Sequence, residues 1–204
     1  MLLTELQFLP PIATFRHFRR TDHLLLEARE TYQKGSYRNR AYLIGANGLQ
    51  LLSLPLVKGK NNSQSIREVH LDARDDWARR HWQSIRSAYG NAPFYEYYAD
   101  ELEPHFTAPA GRLWDFNLGL LRTVFQLLQW DKTIELTAEF QRETPESIRD
   151  LRGRIRPGNH PPGTPGDPPY AVYPQVFRER HGFVANLSIL DLLFCQGPQA
   201  NLYL

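Results

Sequence analysis

The chain of 204 residues contains a single cysteine, Cys195. One thiol cannot form an internal disulfide, and the apolar neighbours Leu192, Leu193 and Phe194 predict that it is buried. The disulfide framework typical of small secreted domains is therefore excluded. We predict a reducing compartment, the cytoplasm.

Long hydrophobic runs are also lacking. No stretch approaches the ~20 apolar residues that a membrane-spanning helix needs. The N-terminal residues have no basic start and no long apolar stretch, and Pro10-Pro11 follows at once. We therefore expect neither a signal peptide nor an integral membrane segment.

The chain also lacks a large excess of charge of either sign. The formal net charge of +2 is too small for a protein that coats nucleic acid or carries a polybasic membrane patch. Nucleic acid is therefore not an expected partner, and any anion-binding site must be local.

Several catalytic signatures are missing from the sequence. It contains no H-E-x-x-H, no paired C-x-x-C, no P-loop, no G-x-G-x-x-G and no G-x-S-x-G. Zinc hydrolysis, nucleotide hydrolysis, dinucleotide redox chemistry and serine-esterase chemistry therefore lack support. We predict no metal and no cofactor.

The first thirty residues have the pattern of a βαβ unit. Residues 2–9 favour a short strand, and Pro10-Pro11 is a breaker that opens a helix over 12–20. Residues 23–27 then hold the continuous run Leu24-Leu25-Leu26, which is typical of a parallel strand covered on both faces. This opening is similar to that of Rossmann-like folds.

Apolar patterning predicts the remaining elements. Asn47-Gly48 between two apolar runs indicates a hairpin with a type I′ turn, residues 58–63 an exposed basic loop, and residues 66–71 a short strand. Helices are predicted for residues 77–88, 94–106, 113–130, 145–152 and 187–195, with a strand at 133–140. We expect an α/β fold with a small mixed sheet and helix-rich middle and C-terminal segments.

Residues 157–169 differ sharply in composition. The segment contains six prolines and three glycines, so it cannot form helix interior or sheet ladder. We predict a loop within the domain, acting as a lid or as an idle tether.

The main candidate site is a polar cluster, residues 32–40, which leads into the hairpin. Its nine residues include two phenols, one hydroxyl, two amides and three permanent cations. Arginine forks and a lysine at this density favour a phosphate or carboxylate ligand. The alternative is that the cations solvate one face of an edge strand while the rings of Tyr32 and Tyr37 pack.

Roles within the candidate site follow from side-chain chemistry. Lys34, Arg38 and Arg40 would neutralise the anion, Ser36 and Asn39 would orient it, and Tyr37 would contribute to ligand orientation or catalysis. His81 is the most natural general base, although a lone histidine on an apolar helix stripe is more often a core residue. Four residues are predicted to support the site from behind: Asp22, Gln175, Ser188 and Asp191.

Ser188 and Asp191 also have a structural interpretation. Their S-x-x-D spacing before an apolar run is typical of a capping box, with Ser188 as the N-cap. Gly197-Pro198 would then end the helix. In that interpretation, Asp191 serves the helix rather than the site.

Motifs distributed along the chain resemble those of the WbqC-like family. They are Phe8-Leu9-Pro10-Pro11, the polar cluster, Trp77 with His81, Tyr173-Pro174-Gln175-Val176-Phe177, and Asn186-Leu187-Ser188-Ile189-Leu190-Asp191-Leu192-Leu193-Phe194. The resemblance implies one WbqC-like domain over residues 1–204. The family's K-x-S-Y-x-N-R core corresponds to Lys34, Ser36, Tyr37, Asn39 and Arg40.

Members of this family occur in gene clusters for O-antigen and other bacterial surface polysaccharides. The resemblance therefore implies a transferase that adds an aminoacyl group such as glycine, or an acyl group, to a sugar precursor. Many members carry H-Q-P at the end of the first strand, whereas residues 4–10 of this chain contain no histidine. The resemblance thus implies ligand binding more directly than turnover.

Two functions remain open from the sequence. The first is a transferase that acts on a nucleotide sugar or saccharide precursor. The second is a non-catalytic saccharide- or nucleotide-sugar-binding or assembly protein, which the aromatic content of 12% favours because aromatic rings stack on sugars.

Overall fold

The first three elements form a parallel strand pair joined by a helix. The structure, a computed structural model, describes residues 1–57, 64–74, 76–164, 166 and 169–204. Strand β1 (Leu2–Thr4) and strand β2 (His23–Leu26) run parallel with helix α1 (Ile12–Phe18) between them. The predicted βαβ unit is present.

Two further strands complete a parallel sheet. Strand β5 (Thr133–Leu136) pairs with β2 and strand β6 (Arg149–Asp150) pairs with β1, in the order β5-β2-β1-β6. The helix predicted for residues 145–152 is wrong. Main-chain N–H groups of Arg149 and Leu151 donate instead to the carbonyls of Met1 and Leu3, which the open edge of β1 offers as acceptors.

The hairpin forms a separate sheet. Strands β3 (Arg40–Gly45) and β4 (Gly48–Ser53) pair antiparallel around Ala46-Asn47. Gly48 has φ +103° whereas Asn47 is not in the positive-φ region, so the expected type I′ turn does not form. The α/β class is confirmed, with the strands divided between a parallel sheet and this hairpin.

Three consecutive helices build the middle of the chain as predicted. They are α2 (Trp77–Tyr89), α3 (Tyr95–Thr107) and α4 (Leu113–Leu127). Aromatic contacts join them, with ring centroids 5.5 Å apart for Trp82 and Phe106 and 5.7 Å apart for Phe106 and Phe116.

The segment before these helices departs from the prediction. Residues 66–71 are not a strand: Ile66–Glu68 is a 3₁₀ turn, followed by isolated bridges at His70 and Leu71. The turn buries Ile66 and Val69 in the core, which the extended alternation of a strand would not achieve. The predicted basic loop 58–63 lies outside the described residues.

The C-terminal part includes α5 (Arg178–His181), α6 (Ile189–Gln196) and a 3₁₀ turn (Gly197–Tyr203). This part of the chain also supplies a hydrogen-bond acceptor to the first turn of α1: Asn186 Oδ1 accepts from the Ala13 amide at 2.8 Å. In the proline-rich segment, the His160 carbonyl accepts from Tyr37 and Asn186. Residues 165, 167 and 168 of that segment lie outside the description.

No helix among the described residues has the length and apolar character required to cross a membrane.

Of the two residues in the predicted capping box at the start of α6, Ser188 has the capping role and Asp191 does not. Ser188 Oγ accepts from the Leu190 amide at 3.4 Å, as an N-cap does. Asp191 instead points into the core, where its Oδ2 accepts from Tyr173 Oη at 2.6 Å and Gln175 Nε2 at 2.7 Å. Burial raises the pKa of Asp191 to about 6, and these hydrogen bonds limit the rise.

We predict that this carboxyl makes stability depend on pH. Because the folded protein keeps the Asp191 proton up to about pH 6, whereas an unfolded chain loses it near pH 4, the free energy of unfolding falls as pH rises through that window. In Asp191→Asn this loss is absent. The difference in free energy of unfolding, variant minus native protein, should therefore be larger at pH 7 than at pH 4 by roughly 3 kcal/mol.

Urea unfolding at both pH values measures this difference. Asp115→Asn, at an exposed position in the first turn of α4, is the control for replacing an aspartate by asparagine. If the free energies of unfolding of Asp191→Asn and the native protein differ by the same amount at pH 4 and pH 7, the raised pKa of Asp191 is contradicted.

Candidate functional site

The middle of the polar cluster is more buried than its composition suggests. Tyr37 is 2% exposed, and its hydroxyl donates to the His160 carbonyl at 2.6 Å. Its main-chain carbonyl accepts from the Phe8 amide at 2.8 Å. Burial raises the pKa of Tyr37 well above its ordinary value, so the phenol stays protonated at neutral pH. A catalytic role for Tyr37 stays a prediction.

The two orienting residues make hydrogen bonds within the protein. Ser36 Oγ donates to the Gln33 carbonyl at 2.6 Å. Asn39 accepts from Tyr32 Oη at 3.0 Å and donates to the Leu54 carbonyl at 3.1 Å. These contacts shape the loop and attach it to β4, and the ligand contacts proposed for Ser36 and Asn39 stay predictions.

The three cations of the cluster do not share one environment. Lys34 is exposed, and Arg40 is half-buried at the start of β3. Arg38 is 2% exposed and forms a bidentate ion pair with Glu30, with Nε–Oε1 and Nη2–Oε2 distances of 2.8 and 2.6 Å. Its Nη1 is buried and makes no hydrogen bond with any described residue. Of the three cations, only Arg38 lines the cavity described below.

His81 lies on α2 among aromatic side chains. Its ring stacks on Phe8 with centroids 6.4 Å apart and meets Trp77 edge-on at 5.5 Å. The main-chain amide of Phe8 donates to the Tyr37 carbonyl, so Phe8 contacts both His81 and the polar cluster. It does not line the cavity around Arg38, and its role as general base stays a prediction.

The predicted supporting residues lie in two other places. Asp22 is exposed and ion-paired with Lys132 at 3.5 Å. It precedes β2 and so lies at the amino edge of the parallel sheet. Gln175, Ser188 and Asp191 belong to the buried contacts at α6 described above. Their support of a site likewise stays a prediction.

A cavity of about 520 Å³ opens at the opposite, carboxyl edge of the parallel sheet. The ends of parallel strands meet at one edge, which is where open α/β sheets bind ligands. The lining comes from the segments that follow β2, β5 and β6. It consists of Arg29, Glu30, Thr31, Gln33, Arg38, Phe140, Arg142, Asp150, Arg152, Gly153 and Arg156.

Arg152 joins the strand ends beneath the cavity. It donates to Glu27 at 2.7 Å, to Asp150 at 2.8 Å and to the Gln141 carbonyl at 2.8 Å. Burial alone would raise the pKa of Asp150, but the Arg152 guanidinium lowers it below its ordinary value. Both groups are therefore charged at neutral pH.

Two buried glutamates stand directly after buried strands. Glu5 follows β1 and accepts from the Gly153 amide at 2.8 Å. Glu27 follows β2 and accepts from Thr137 Oγ1 at 2.6 Å as well as from Arg152. Sequence reasoning missed Glu5, Glu27, Glu30 and Arg152. The available signal was a carboxylate placed immediately after an apolar strand.

The cavity rim carries cations in excess. Arg29, Arg142 and Arg156 are exposed, and within the described parts of the chain they form no ion pair with a carboxylate. The lining thus contains five arginines against two carboxylates. Such a surface attracts anions, and arginine forks match the oxygens of phosphate.

A second, smaller cavity of about 200 Å³ adjoins the first, with Arg152 in the walls of both. Its lining is mixed: Leu3, Leu25, Leu136 and Ile148 contribute aliphatic surface, and the polar residues include Glu27 and Glu139. The cationic cavity therefore has a smaller neighbour that is partly aliphatic and carries two glutamates.

The Arg38–Glu30 pair should be a strong stabilising element only while both partners are present. Burial raises the pKa of Glu30, and Arg38 limits the rise. We expect Arg38→Met to lower the free energy of unfolding by about 3–5 kcal/mol because it leaves a buried carboxylate uncompensated. The double variant Arg38→Met/Glu30→Leu should recover most of that loss.

Denaturant unfolding at pH 7 measures both effects. Arg74→Met removes a similar bidentate pair with Asp72 whose arginine is 73% exposed, and should cost far less because solvent screens an exposed ion pair. Equal losses for Arg38→Met and Arg74→Met would contradict the buried pair's importance.

Part of the chain is similar to a known protein. The uncharacterized protein Rv1507c of Mycobacterium tuberculosis is 38% identical to this chain over 74 residues, which cover 36% of this chain and 31% of that protein. The chain thus matches under a third of that relative's length. No solved structure matches the chain.

The model of the WbqC-like protein family matches residues 7–155. This range includes the polar cluster, the three middle helices, β5, β6 and every residue that lines the larger cavity except Arg156. The chain therefore belongs to the WbqC-like protein family.

Proposed function

We propose that this protein binds a phosphorylated saccharide, a sugar phosphate or nucleotide sugar, in the cationic cavity at the carboxyl edge of its parallel sheet. In this proposal the bound saccharide is a cytoplasmic precursor of a bacterial surface polysaccharide, and the protein transfers an acyl or aminoacyl group to it.

The observation that carries the proposal is the buried Arg38 in the cavity wall. Its Nη1 donors make no hydrogen bond within the described chain, although the side chain is 2% exposed. An unsatisfied buried donor is costly, so a ligand oxygen that accepts from Nη1 after a small shift of the cavity wall, which covers this atom, would be bound favourably. Glu30 fixes the guanidinium in place beforehand, which reduces the entropy lost on binding.

The size and charge of the cavity suit such a ligand. A volume of about 520 Å³ lies within the usual range of small-molecule sites. The three rim arginines supply charge that the protein's own carboxylates do not neutralise, and hydroxyl groups of a sugar can bond to Thr31, Gln33 and Asp150. The aliphatic side chains of the adjoining cavity, Leu3, Leu25, Leu136 and Ile148, offer a surface for a short acyl group.

A second function, binding without turnover, is favoured by one specific observation. Among the described residues that line the larger cavity there is no serine, cysteine, lysine or histidine, and both carboxylates are bonded to arginines. Thr31 carries the one hydroxyl group among these described residues, and no lysine, histidine or unpaired carboxylate among them could activate it. A transferase would have to act by positioning its two substrates or by recruiting His81, which stacks on Phe8.

We predict that exposed rim arginines contribute to binding and not to folding. Calorimetric titration should show binding of UDP-glucose, glucose 1-phosphate or pyrophosphate, and none of glucose. Arg142→Gln should weaken the binding of phosphorylated probes roughly 10-fold, the usual effect of one charged hydrogen bond, without shifting the thermal midpoint. Arg122→Gln, at an exposed position on α4, is the matched control.

Variants of the polar cluster test the alternative location. If Lys34→Gln and Arg40→Gln abolish binding while Arg142→Gln leaves it unchanged, the ligand lies at the polar cluster and the cavity assignment fails. Mass spectrometry of a bound saccharide, after incubation with acetyl-coenzyme A or with glycine and ATP, separates the two functions. A mass increase supports transfer, and an unchanged mass supports binding alone.

A further inference from the structure

Phe140 is an unusual residue to find in the wall of a cationic cavity. Its side chain is 51% exposed and lines the same cavity as the rim arginines. Every other phenylalanine of the chain is buried or half-buried. Burial of apolar surface therefore does not account for the position of this ring at the opening.

The ring is supported from one side by a fixed cation. The Arg152 guanidinium lies 5.1 Å from the centroid of Phe140. Its nitrogens donate in their own plane to Glu27, Asp150 and the Gln141 carbonyl, so the group cannot easily rotate. A cation over one face of the ring also attracts it by the cation–π effect. Phe140 is consequently held in position before any ligand arrives.

We propose that Phe140 is a stacking platform for the base of a nucleotide, and that the ligand is a nucleoside diphosphate derivative rather than a simple sugar phosphate. This inference rests on the proposed function, because it needs the phosphates to occupy the same cavity. Any nucleotide base can stack on an aromatic side chain, because stacking uses the flat face of the base and not its hydrogen-bonding edge. Arg38 and the rim arginines then meet the diphosphate while the base covers the exposed part of the ring.

Titrations with UDP, GDP, ADP, dTDP, pyrophosphate and glucose 1-phosphate test the inference on the full chain. At least one nucleoside diphosphate should bind about 10-fold or more tightly than pyrophosphate, the range expected for one stacked base. Phe140→Leu should remove that advantage and leave pyrophosphate affinity within about two-fold. Phe140→Trp should preserve it, and Tyr97→Leu, which changes an exposed ring on α3, should have no effect.

The outcomes separate this inference from the proposed function. If pyrophosphate or glucose 1-phosphate binds as tightly as every nucleoside diphosphate, or if Phe140→Leu preserves the difference, the stacking platform is overturned while the anion site stands. If no phosphorylated probe binds, or if Arg142→Gln leaves the affinity for these probes unchanged, the proposed function fails and the stacking platform fails with it.

Discussion

The carboxyl edge of the parallel sheet depends on the ionic contacts of Arg152. Parallel pairing brings the ends of four strands to one edge, and Glu27 and Asp150 stand at two of those ends. Carboxylates gathered in this way would repel one another and oppose burial. Arg152 bonds to both and to the Gln141 carbonyl, so the same cation stabilises the edge, separates the two cavities and supports Phe140.

The C-terminal segment packs against the N-terminal elements although the family match ends at residue 155. Asn186 supplies the acceptor at the start of α1, and α6 buries nearly every side chain against the core. The carboxyl of Asp191 is satisfied mainly by Tyr173 and Gln175. These contacts link residues far apart in sequence, which explains why a spacing typical of a capping box describes only the role of Ser188.

Elements with strong local signals were predicted well. The βαβ opening, helices α2, α3 and α4, and α6 follow from hydrophobic periodicity, which reflects the face that each element buries. Residues 145–152 and 66–71 were assigned wrongly because short segments take their conformation from available partners. Main-chain groups of β1 extend the first segment into β6, whereas core burial of Ile66 and Val69 favours a turn in the second.

The sequence by itself determined the α/β class and the resemblance to the WbqC-like family, since hydrophobic periodicity and the order of motifs are properties of the chain before it folds. Only the tertiary structure decided which cations share a cavity. Arg38 joins Arg29, Arg142, Arg152 and Arg156 there, whereas its sequence neighbours Lys34 and Arg40 do not. The physical reason is that parallel pairing unites strand ends from distant parts of the chain, while adjacent residues of one loop point in different directions.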